Sequence, residues 1–149
     1  CNKIQVAKKS QQTEDFMVIA RIESLILGNG INDAIVRSKK YIKAGADAIM
    51  IHSKKEKPSE IKQFCKRYNL LNSRVPLVLV PTTYNSMKED VMIKLGVKVV
   101  IYANHLMRST IPSMKNTALS ILKNQRSFEI EKKILSISDI LNLIPETKN

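Results

Sequence analysis

This 149-residue chain has no tryptophan, two cysteines and four glycines. Its aromatic residues are four tyrosines and three phenylalanines. Each scarcity excludes something. Cys1 and Cys65 form neither a disulfide framework nor a metal-ligand pattern, and they point to a reducing, cytoplasmic setting. The few aromatics are not interleaved with basic residues, so no stacking platform for nucleic acid is present. No apolar run approaches the roughly 20 residues of a membrane span, and the polar N-terminus lacks the apolar stretch of a signal peptide. Glycine is too sparse for a phosphate-cradling loop after the first strand, and Gly28-Asn29-Gly30 reads as a turn. A cysteine at position 1 is not a translation start, so the chain is expected to be processed or to be a piece of something longer.

Acidic residues are scarce as well. Twenty-five Lys and Arg against 13 Asp and Glu give a formal net charge of +12. The lysines are spread over helix faces (Lys39, Lys40, Lys43; Lys54, Lys55, Lys57) rather than massed on one arm. This argues for a solvated surface and against nucleic acid, while the positive field suits a small anionic substrate. No cluster of aspartates closes any strand, and Glu23 is the one acid so placed. A single carboxylate does not make a magnesium site, so no metal is expected to be ligated by this chain.

The residues that remain alternate between strands and helices. A sparse helix ends near Gln11, and Phe16–Ile22 reads as the first strand. An amphipathic helix through Ile31, Ala34, Ile35, Tyr41 and Ile42 stops at Gly45. Ala46–His52 is the second strand, and Pro58-Ser59 opens a helix through Ile61, Phe64, Cys65 and Tyr68. Val75–Val80 is the third strand, followed by a helix from Met87 to Leu95 and a fourth strand, Val97–Tyr102. A helix from about Thr110 to Asn124 and a short one from Ile137 to Ile144, capped by Ser136, complete the chain. Four such units imply an α/β fold with a parallel sheet flanked by helices. The pattern is that of half of a (βα)8 barrel, with residues 1–125 as the half barrel and 126–149 as linker and terminal helix.

Two strand endings carry the chemistry. Arg21 and Glu23 close the first, and His52, Ser53, Lys54 and Lys55 close the second. Arg21 and His52 are 31 residues apart with one helix between them, the spacing of a strand–helix–strand crossover. Both therefore belong at one end of one parallel sheet, where α/β folds bind ligands. Without further context, Arg21 reads equally well as a structural partner of Glu23, and His52 as a satisfied strand-end histidine. Thr82 and Asn104 end the third and fourth strands at the same rim, whereas Lys54 and Lys55 read as a solvated loop.

Ala20-Arg21-Ile22-Glu23, Ala44-Gly45-Ala46-Asp47-Ala48, His52-Ser53-Lys54-Lys55, Val80-Pro81-Thr82-Thr83 and Ala103-Asn104-His105, in this order, resemble the phosphoenolpyruvate mutase family of the isocitrate lyase superfamily. The resemblance implies an isomerase of phosphonate biosynthesis that interconverts phosphoenolpyruvate and phosphonopyruvate. It implies the C-terminal half of the barrel, with Arg21 and His52 as the catalytic residues that hold the phosphoryl group; Glu23, Thr82 and Asn104 are further candidate substrate contacts by their place at the strand ends. It also implies Mg2+ as cofactor. The family's metal ligands and gating loop match nothing in this chain and are expected in a missing N-terminal half, so the isolated chain is expected to be inactive. A homo-oligomer is implied too, with the terminal helix exchanged between subunits. Phosphonopyruvate hydrolase, another superfamily lyase and a catalytically incomplete fragment are the alternatives.

Overall fold

The computed structural model describes residues 1–143, and contacts within the chain divide it into two units, 1–103 and 104–149. The boundary expected at residue 125 falls at the end of the longest helix; the contacts part the chain before that helix begins.

The first unit runs α1 (Asn2–Lys9), β1 (Ile19–Ile22), α2 (Gly30–Lys43), β2 (Ala48–Ile51), α3 (Ser59–Tyr68), β3 (Leu77–Leu79), α4 (Glu89–Lys94) and β4 (Val97–Val100). All pairings are parallel and the strand order is β1-β2-β3-β4. The order never reverses. A doubly wound sheet reverses at a switch point, whereas a barrel winds one way, so this is a run of consecutive (βα)8-barrel units.

Alternation along the strands separates two faces. Ala20, Ile22, Ile49, Ile51, Leu77 and Leu79 are buried with Ile35, Ile61, Phe64, Cys65 and Tyr68 of the helices, and this layer is the core. The opposite face carries a cross-strand row of Arg21, Met50, Val78 and Val99. A shift of register between Leu77 and Val78 leaves Lys98 as the extra residue of β4. Burial of Cys65 pushes its thiol up to about 12, which makes it core filling rather than a nucleophile.

β1 is shorter than its apolar run. Phe16 and Met17 are exposed, and Val18 is held by Asp47 instead of a strand ladder. The Asp47 carboxylate accepts from Val18 N–H at 2.8 Å, while Asp47 N–H donates to the Val18 carbonyl at 2.9 Å. Lys8 Nζ completes the knot at 2.8 and 2.9 Å, tying α1 to the start of β2.

In the second unit, α5 (His105–Asn124) begins earlier than expected and contains Pro112. The expected start is about Thr110, and the helix has seven residues ahead of Pro112. A short helix, α6 (Phe128–Glu131), buries Ile130. The last helix, α7 (Ile137–Leu141), is capped as expected: Ser136 Oγ accepts from Asp139 N–H at 3.0 Å. The expected end of that helix at Ile144 lies outside the described residues.

Candidate functional site

β1 and β2 bring Arg21 and the His52 region to one face. Arg21 lies opposite Met50, and two residues further along each strand come Glu23 and His52. Because side chains alternate, Arg21, Glu23 and His52 face away from the helix-covered core, at the C-terminal end of the sheet. Their charges reach one another. Burial, and after it the Arg21 charge, push the His52 imidazole below its ordinary value of 6.5, with Glu23 pulling the other way. His52 is therefore neutral at pH 7. Its Nδ1 is buried without a hydrogen-bond partner, a polar atom left for a ligand to satisfy.

Arg21 Nε pairs with Glu23 Oε1, so the partner that the sequence offers for Arg21 is present. Both side chains remain substantially open to solvent, at 53% and 39%. The pair engages Nε alone of the five guanidinium donors, and the fork geometry suits a second, tetrahedral anion.

The turns beneath these residues are pinned. Ser24 is buried and donates to Asp33 Oδ2 at 2.7 Å; Arg37 Nε donates to the same oxygen at 2.7 Å. The Ser24 hydroxyl, then Arg37, hold the Asp33 carboxyl below its usual range. Ser53, fully buried, donates to Glu60 Oε1 and accepts from Lys55 N–H at 3.1 Å. Lys55 Nζ lies 2.7 Å from Glu60 Oε2, with the lysine side chain still 62% exposed in the solvated loop expected for it. Thr83 Oγ1 donates to the Ser53 carbonyl at 2.6 Å, joining the turn after β3 to the turn after β2.

Thr82 is half-buried beside Thr83, with its N–H on the Val80 carbonyl at 2.8 Å. Asn104 belongs to the second unit as the residue before α5, in left-handed backbone at φ 57°. The structure thus brings together Arg21, Glu23 and His52, with Thr82 on the neighbouring turn of the same unit. Sequence reasoning missed Ser24, Asp33, Ser53, Glu60 and Thr83. Their signal was a serine directly after each motif residue and an acid in the first turn of the next helix.

The donor set does not fit magnesium. This hard cation takes oxygen ligands, usually carboxylates, and the one carboxylate here is committed to Arg21. Among the described residues, no group of three or more His, Cys, Asp or Glu is placed to share an ion. Nor is any described helix long and apolar enough to cross a membrane.

The family model for phosphoenolpyruvate phosphomutase matches residues 1–122. The chain belongs to this family. A phosphoenolpyruvate phosphomutase of Tetrahymena pyriformis is 39% identical over 141 residues, which are 95% of this chain and 46% of that protein. The crystal structure of a phosphoenolpyruvate phosphomutase from Streptomyces platensis subsp. rosaceus superposes with a TM-score of 0.89 at 39% identity, over 95% of this chain and 48% of that one. A phosphonopyruvate hydrolase in complex with oxalate and Mg2+ superposes at 0.86 and 38% identity, over 93% of this chain and 48% of its own. The chain thus spans about half the length of the phosphomutase-family relatives it matches.

Proposed function

We propose that this chain is the phosphoryl-holding half of a phosphoenolpyruvate mutase, which interconverts phosphoenolpyruvate and phosphonopyruvate. The observation that supports this most is the pairing of Arg21 and His52 on one face of the sheet, at the ligand-binding end, within a member of this family. In the reaction, the bond from phosphorus to the enol oxygen breaks and a bond from phosphorus to C3 forms. A metaphosphate-like transition state spreads negative charge over three oxygens, so fixed donors that meet that charge lower the barrier. Arg21 supplies permanently charged donors to those oxygens. His52, neutral at pH 7, offers a ring nitrogen to the same group without adding a second full charge beside Arg21. Glu23 orients the guanidinium, and Thr82 is a further substrate contact.

Magnesium belongs to this reading through the relatives, with its ligands outside this chain, and the isolated 149 residues are then inactive. A cytoplasmic homo-oligomer that exchanges the C-terminal helix goes with it; Ile137 and Leu141 of α7 are 79% and 73% exposed. Phosphonopyruvate hydrolase is the second reading, favoured by a structural match almost as close.

Phosphorus-31 NMR of the protein incubated with phosphonopyruvate and Mg2+ tests the proposal. Conversion to phosphoenolpyruvate supports the mutase. Release of inorganic phosphate supports the hydrolase instead. No reaction from a sample with the intact mass of these residues supports the incomplete half barrel.

A further inference from the structure

We propose that Ser53–Glu60 and Ser24–Asp33 are two copies of one positioning latch, which hold His52 and the Arg21–Glu23 pair in place without touching substrate. The inference rests on the reading of Arg21 and His52 as the anion site. In each copy, the serine directly follows a site residue, is at most 2% exposed, and donates its hydroxyl to an acid of the next helix's first turn. In each copy, a cation then closes the acid, Arg37 at 2.7 Å and Lys55 at 2.7 Å.

A helix N-terminus favours a carboxylate, so both acids sit where the helix stabilises their charge. Neither N-cap residue, Asn29 or Pro58, caps its helix with a side-chain hydrogen bond. The acids are turned to the strand-end turn instead. The result ties the turn after each site strand to the helix behind it. Donors aimed at a developing charge need such support, because a displacement of about 1 Å costs on the order of 100-fold in rate. Glu60 is the more telling member: it is 13% exposed and grips both Ser53 and Lys55, on either side of Lys54.

The test follows the imidazole signals of His52 and His105 in the full chain by NMR, with phosphonopyruvate turnover by the full-length parent protein as the second readout. Glu60→Ala is expected to shift and broaden the His52 signals, to leave those of His105 in the second unit unmoved, and to lower kcat about tenfold. Glu60→Gln keeps an acceptor oxygen for the Ser53 hydroxyl and is expected to restore the His52 signals. If Glu60→Ala fails to fold, Ser53→Ala is read by the same signals. An unchanged His52 in these variants overturns the latch, and so does an equal disturbance of His52 and His105, which marks general loosening. Absence of turnover in the full-length parent protein removes the functional reading, while the ring signals still decide the latch.

Discussion

Thr83 Oγ1 donates a hydrogen bond of 2.6 Å to the carbonyl of Ser53, one residue beyond His52. The turn after β3 thereby supports the turn that presents the histidine. Thr83→Val keeps the shape and removes the donor, leaving a part-buried carbonyl without this bond. The expected loss is about 1–2 kcal/mol, measured by urea unfolding. A variant as stable as wild type removes Thr83 from the support of the site.

In the full-length parent protein, Arg21→Ala is expected to lower turnover of phosphonopyruvate by at least about 100-fold with the fold retained by circular dichroism, because the phosphoryl charge loses its fixed partner. Arg21→Lys is expected to recover little, since an ammonium lacks the planar fork. His52→Ala is expected to cost less, about tenfold or more. Near-normal turnover in either alanine variant takes that residue out of the site.

Asp47 gives a pH signature. Its hydrogen bond with Lys8, and then that with Val18 N–H, hold its carboxyl below the ordinary 3.8. A lowered folded-state value means that the stabilisation is complete above 3.8 and fades as pH falls through the lower folded value. Asp47→Asn is therefore expected to melt below wild type near pH 7, and the gap to close in strong acid. A melting difference that does not change between pH 7 and pH 2 contradicts this account.

Gly96 ends the turn into β4 at φ +82°, and a Cβ there would lie 2.8 Å from Asn69 Oδ1. Asn69 is not free to retreat, since its Nδ2 donates to the Leu95 carbonyl at 2.9 Å. Gly96→Ala combines a left-handed backbone with that clash, and a loss of more than about 1 kcal/mol is expected by urea unfolding.

The parallel sheet was legible because β2 and β3 are short apolar runs between helices of clear period, and because Gly45 and Gly96 mark the helix ends before β2 and β4. The meeting of Arg21 and His52 was legible from spacing alone. The start of β1 was not. Phe16 and Met17 carry strand propensity, but the ladder begins only after Val18, which a side chain 29 residues away satisfies. Ser53, Glu60 and Thr83 escaped because polar residues after a strand read as loop until the helix and the next turn close on them.

The most direct test of the site is a titration of His52 by NMR, with and without phosphonopyruvate. The imidazole of the free protein is expected to titrate below 6.5, held down by burial and by Arg21. A bound phosphonate beside it favours the imidazolium, so its pKa is expected to rise on addition of phosphonopyruvate. Arg21→Ala is expected to raise the value in the free protein and to abolish the response. A His52 titration that is the same with and without phosphonopyruvate contradicts an anion site shared by Arg21 and His52.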